Sequence, residues 1–199
     1  SRTGKRLRLS NASKIFGQTR ETVDEAYPGD IVGFVGQSSL GIGDTLTEDP
    51  SVVYKEIPHF PPEYFAALHN PHSGNYKKFR DGVDQLLQEG VVQGLQLTGT
   101  GQRVPILGAV GPLQFEVVQY RLENEYGAPS KLEPKEWKLL RWLEPSYDIK
   151  TFPRTHLPSG CVLAENAEQQ HAVLFTSEWA LNYFVEREPD VKLSELPVG

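Results

Sequence analysis

The 199-residue sequence has one cysteine, no methionine, and no apolar run approaching the roughly 18 residues that a membrane helix needs. The lone thiol, Cys161, excludes an internal disulfide framework. The longest clean apolar stretches are short, such as Asp30-Ile-Val-Gly-Phe-Val, so a spanning helix is excluded as well. The opening residues, Ser1-Arg-Thr-Gly-Lys-Arg-Leu-Arg, lack the apolar core of an export signal, and the expected compartment is a reducing cytoplasm. The missing methionine, absent even at position 1, predicts a piece of a longer protein whose activity would then lie partly outside these residues.

What is present fits a globular chain. Apolar residues make up 38% and charged residues 23%, and three Trp, eight Tyr and nine Phe can fill a sizeable core. The net charge of -6 hides an uneven distribution. Residues 1–20 carry six bases (Arg2, Lys5, Arg6, Arg8, Lys14 and Arg20) and no acid, whereas residues 21–50 carry seven acids and no base. A basic arm of this kind can contact phosphate backbones. Basic residues on an edge strand also discourage sheet-to-sheet association, so a plain solvated edge accounts for the same pattern.

From Lys5 to Leu46 the signals are strands and turns, which predicts part of a small β-barrel. In Tyr27-Pro-Gly-Asp, Pro28 presets the backbone angle and Gly29 permits the positive φ of a type II turn. Three or four short strands are too few to close a barrel, so further strands are expected before Ser1. A boundary near residue 50 divides a barrel domain, 1–50, from an α+β domain, 51–199. The first strand of the second domain is expected at Ser51-Val-Val-Tyr-Lys-Glu-Ile. Tyr76, Phe79, Val83 and Leu86 recur at helical spacing before Gly90, and Phe115, Val118, Leu122 and Tyr126 do so before Gly127. Between the helices, 91–97 and 104–110 read as a hairpin. With an extended segment after Pro129, residues 51–133 give strand, helix, strand, strand, helix, strand, the ferredoxin-like split βαβ order. Residues 134–199 add strands near Trp137, Cys161 and His171, and a last helix carrying Trp179, Tyr183 and Phe184; 143–160, with Pro145, Pro153 and Pro158, reads as loop.

Catalytic patterns are missing. Neither Gly41-Ile-Gly-Asp nor Gly99-Thr-Gly-Gln is followed by the Lys-Ser/Thr of a phosphate-binding loop. Pro71 breaks any helix that would bring His69 and His72 to one metal. Cys161 has no activating neighbour, and Glu123 and Glu125, two apart on a helix, diverge as a solvated face would. No catalytic, cofactor-binding or metal residue is assigned.

A family resemblance takes the reading further. Glu25-Ala-Tyr-Pro-Gly-Asp-Ile-Val-Gly and Ile42-Gly-Asp-Thr-Leu resemble the barrel that follows the GTPase domain of translational GTPases. Pro58-His-Phe-Pro-Pro-Glu-Tyr-Phe, Leu107-Gly-Ala-Val-Gly-Pro-Leu-Gln-Phe-Glu-Val-Val, Arg121-Leu, Glu125-Tyr, Arg141-Trp-Leu-Glu and Glu188-Pro-Asp-Val resemble, more specifically, the bacterial peptide chain release factor 3 family. These matches run in order along nearly the whole chain. The resemblance implies a cytoplasmic parent that uses GTP and Mg in a domain upstream of Ser1. On a terminating ribosome its GTP form promotes departure of a class I release factor after peptide release. This chain would be the non-catalytic lever, expected as a monomer with no membrane or DNA partner. It would contact ribosomal RNA and proteins directly and the class I factor indirectly.

Two basic clusters are candidate ribosome contacts: the arm Arg2, Lys5, Arg6 and Arg8, and Lys77, Lys78 and Arg80 at the start of the first helix. The helix cluster also fits an ordinary solvated face, and Gly111-Pro112 fits a tight strand-to-helix turn. Two other classes are consistent with the fold: a free-standing ferredoxin-like regulatory domain binding a small ligand, and the matching domains of elongation factor G or a ribosome-protection factor.

Overall fold

The computed structural model describes residues 6, 13–16, 19–22, 25–34, 40, 42–49, 51, 52, 54, 60–99 and 104–197. The chain divides into two units, Ser1–Ile57 and Pro58–Gly199.

In the first unit β1 (Ser13–Phe16), β2 (Thr19–Thr22) and β3 (Val32–Gly33) form an antiparallel sheet in the order β2-β1-β3. The expected turn ahead of β3 is present. Asp30 N donates to Tyr27 O at 2.9 Å, the Asp30 carboxylate accepts from Tyr27 N at 3.0 Å, and Gly29 takes φ +96°. The chain thus reverses just before β3, as Pro28-Gly29 predicts.

The second unit is built on one antiparallel sheet of eight strands, ordered β11-β8-β10-β9-β5-β6-β4-β7. Its ferredoxin-like half runs β4 (Tyr64–His69), α1 (Tyr76–Gln88), β5 (Gln93–Leu97), β6 (Ile106–Ala109), α2 (Leu113–Tyr126) and β7 (Lys131–Lys135). The sheet order β5-β6-β4-β7 is that of a split βαβ unit. The first strand differs from expectation. Ser51, Val52 and Tyr54 lie in no strand and the rest of 51–57 is outside the described residues, while β4 begins after the prolines at 61 and 62. Phe65, Ala66, Ala67 and Leu68 are all buried, so β4 is covered on both faces and shows no polar alternation.

The remaining elements are β8 (Leu139–Leu143), β9 (Val162–Glu165), β10 (His171–Phe175), α3 (Glu178–Arg187) and β11 (Leu193–Ser194). They continue the same sheet through the pairing of β9 with β5, where Gln96 faces Glu165 and Leu97 faces Ala164. The stretch read as loop holds two single turns of 3-10 helix, Ile149–Thr151 and Arg154–His156.

Three apolar clusters show how the layers stack. Leu68, Leu107 and Leu132 pack with Phe79, Val83 and Leu86 of α1 and Val118 and Leu122 of α2. Val173 and Phe175 of β10 pack with Ala180 and Phe184 of α3. Between them, Phe65, Ala67, Leu95 and Ile106 from one half of the sheet meet Leu140, Trp142, Ala172 and Leu174 from the other. Phe65 and Trp137 touch edge to face at 6.5 Å, and the Trp137 indole donates to Gly160 O at 2.8 Å. The sheet therefore folds over a shared central core, with α1 and α2 on one outer layer and α3 on the other.

Candidate nucleic-acid interface

The two basic clusters of the sequence lie in different units. Arg2, Lys5 and Arg8 fall outside the described residues, and Arg6 is exposed. Lys77, Lys78 and Arg80 are exposed on the first turns of α1, around the buried Phe79. Tyr76, expected on the buried stripe, is instead 62% exposed and faces the same solvent as the lysines.

The helix start is electrostatically unusual. A helix N-terminus is its positive end, where acids are favoured and bases are not. The first turns of α2 and α3 follow that rule with Glu116 and Glu178, whereas the first turn of α1 has no acid and carries Lys77 and Lys78. Positive side chains on a positive helix end concentrate potential that suits phosphate.

The three bases are not equivalent. Arg80 Nη2 stands 3.6 Å from Asp81 Oδ1, which offsets part of its charge. Lys78 has a neighbour of another kind, since a Cβ built on Gly127 would stand 4.0 Å from its ammonium. Gly127 closes α2 in the left-handed conformation at φ +59°, and the Asn75 amide donates to Gly127 O at 3.1 Å. Lys78 thus sits at the negative end of α2, a structural role added to any contact it makes. Among the described residues Lys77 has no ion-pair partner.

The Gly111-Pro112-Leu113-Gln114 segment is explained by folding. Gln114 Oε1 accepts from Val110 N at 2.7 Å and from Gly111 N at 3.3 Å, and its amide donates to Val91 O at 2.9 Å. Gln114 thereby locks the passage from β6 into α2 and ties it to the end of α1. Nearby, Arg121 pairs with Glu89 beyond α1 and with Glu125 one turn on, the latter at 2.8 Å. The Arg121 guanidinium holds both carboxyls below their usual range, and those carboxylates raise its own pKa. Glu125 is therefore an ion-pair partner rather than a merely solvated acid. His69, set aside as a metal ligand, is bonded to Glu133 at 2.9 Å.

Sequence reasoning missed a second exposed feature. Trp179 and Tyr183 of α3 are 70% and 40% exposed and stack with centroids 5.4 Å apart. Only Phe184 of the three aromatics on that helix is buried. Their spacing of four was visible, but nothing in one sequence said which of two pairs at that spacing, Ala180/Phe184 or Trp179/Tyr183, would face the core.

Residues 1–49 match the family model of elongation factor G domain 2, which sets the first unit among translation-factor domains. Residues 54–185, more than half of the chain, match the family model of the class II release factor RF3, C-terminal domain, and the chain belongs to that family. It is 42% identical over 198 residues to a peptide chain release factor 3 of Gloeobacter violaceus, covering 98% of this chain and 37% of that protein. It is 41% identical over 200 residues to one of Synechococcus elongatus, covering 100% of this chain and 36% of that protein. A third, of Synechocystis, is 41% identical over 197 residues. The chain thus spans just over a third of the length of the curated relatives it matches.

Proposed function

We propose that this chain is the ribosome-engaging, non-catalytic part of a translation termination factor. The observation that carries the reading is likeness to proteins named peptide chain release factor 3 along the whole chain, with the family's C-terminal domain over 54–185. In the parent, GTP and Mg are held by a domain outside these residues. Nucleotide state is transmitted to the two units described here, whose contacts with the ribosome favour departure of a class I release factor after peptide release. The free-standing regulatory domain is disfavoured by the greater length of these relatives. Elongation factor G is disfavoured because residues 54–185 match the RF3 C-terminal domain.

Within this reading, Arg2, Lys5, Arg6 and Arg8 and the α1 cluster of Lys77, Lys78 and Arg80 contact ribosomal RNA phosphates. Lys77 is the clearest candidate in α1, being exposed at the positive helix end without the second role of Lys78. The chain works as a monomer in the cytoplasm. Among the described residues no helix is long and apolar enough to cross a membrane.

The test is co-sedimentation of the purified chain with ribosomes over a series of salt concentrations. Binding is expected to be weak and to fall steeply with salt, because each phosphate contact releases condensed counterions. Lys77→Ala is expected to reduce the slope of log affinity against log salt by about one. A slope unchanged by this substitution and by Arg6→Ala removes the proposed contacts, and salt-insensitive binding rejects the phosphate mode altogether. Filter binding of labelled GTP to the same preparation is expected to stay at background.

A further inference from the structure

Helix α2 is apolar on two faces. Val118 and Leu122 turn into the core against α1 and the sheet, whereas Leu113, Val117 and Tyr120, spaced four and three apart, are 66%, 40% and 67% exposed. Residues at that spacing lie on one side of a helix, so the three form a single stripe along two turns. A helix that serves only as a layer of the fold is polar on its outward side. The neighbouring α1 follows that rule, exposing Lys77, Arg80, Asp81, Asp84 and Gln88. The outward side of α2 does not.

Charge selects what covers the stripe. By helical spacing Glu116 stands one turn from both Leu113 and Tyr120, and Glu123 one turn beyond Tyr120. Both acids are exposed and have no ion-pair partner among the described residues. Glu123 lies in the last turn, the negative end of the helix, where a carboxylate is disfavoured and a cation is favoured. Arg121, the one base of α2, is engaged by two carboxylates, those of Glu89 and Glu125, so it leaves surplus negative charge rather than a free cation. Lys78 Nζ lies beside Gly127, about 10 Å along the helix from Tyr120. Phosphate and an anionic lipid surface are repelled by this rim. A second copy presenting the same face would set its own Glu116 and Glu123 against these. An apolar helix ridge rimmed by lysine or arginine meets both demands, covering the stripe and neutralising the two acids.

We propose that the face of α2 formed by Leu113, Val117 and Tyr120 docks an amphipathic helix of a partner protein, its apolar side laid along the stripe and its lysine or arginine side chains set against Glu116 and Glu123. The inference goes beyond the ribosomal RNA contacts given to α1 and does not depend on Lys77 or Lys78.

The experiment uses the purified chain and three labelled probes at physiological salt, followed by fluorescence anisotropy: a helical peptide with a leucine stripe rimmed by lysine, the same peptide rimmed by glutamate, and polyuridylate. The wild-type chain is expected to bind the lysine-rimmed peptide in preference to the other two. Tyr120→Ala is expected to weaken that binding roughly tenfold, the range for one large apolar side chain removed from a covered surface, and Leu113→Ala to act in the same direction. Glu116→Lys combined with Glu123→Lys is expected to turn the preference toward the glutamate-rimmed peptide. Trp137 and Trp142 are buried, so their near-ultraviolet circular dichroism reports that each variant remains folded. Four results overturn the proposal. They are no measurable binding of the lysine-rimmed peptide by the wild type, equal affinity in the wild type and both alanine variants, a preference untouched by the double charge reversal, and either polyuridylate binding or a dimer in sedimentation velocity that Tyr120→Ala abolishes.

Discussion

At the scale of single residues, two positions separate structural from contact roles. Gly82 stands where α1 crosses α2. A Cβ there would come within 2.8 Å of Leu122 Cδ2 and of Tyr126 Cγ, both in a packed layer. Gly82→Ala is therefore expected to lower stability by roughly 1–3 kcal/mol through overpacking, despite alanine's higher helix propensity, as read from urea denaturation. Lys78 and Lys77 form the second comparison. Lys77→Ala is expected to raise stability by roughly 0.3–1 kcal/mol by removing a cation from the positive end of α1, and Lys78→Ala to gain less because Lys78 also faces the carbonyl end of α2. Equal effects of the two on stability would show that Lys78 has no capping role.

At the scale of elements, Arg121 joins α2 to the end of α1 through Glu89 and pairs within α2 with Glu125 one turn on. Both carboxyls have folded-state pKa values below their ordinary 4.5, chiefly through hydrogen bonds from Arg121. Stability from this pairing is therefore complete above that value and is lost as pH falls through the lowered folded values. Thermal melts are expected to show a steeper loss of stability as pH falls below about 4.5 in the wild type than in Arg121→Met. The helices were legible in the sequence because their stripes recur at three and four and their stops are glycines, and the hairpin of β5 and β6 because its strands flank a glycine-containing turn. The strand β4 was not, because Ala66 and Ala67 are poor strand formers and burial on both faces erases alternation. The basic cluster on α1 could be read from residue types alone. The exposed stripe of α2 could not, since Leu113, Val117 and Tyr120 share the helix with Val118 and Leu122 and only the packing shows which set is buried.

At the scale of the molecule, the shared central core makes the ferredoxin-like half and the later strands one cooperative body. Leu174 is fully buried in that core between the two halves. Leu174→Ala is expected to cost about 2–5 kcal/mol, and amide exchange is expected to accelerate in β4 and β6 as well as in β8 and β10. Acceleration confined to β8 and β10 would mean that the halves open independently. The same stacking keeps Lys78 at the carbonyl end of α2 and Leu113 at its start within one rigid outer layer, so contacts made through the α1 bases and the α2 stripe do not compete for one surface. Two weak attachments held at a fixed span act as a bivalent grip. Once one has formed, the other closes at high effective concentration, and loss of either releases the whole grip far faster than its own affinity would suggest. In the role proposed above, a brief hold on a large assembly followed by release would draw on both properties.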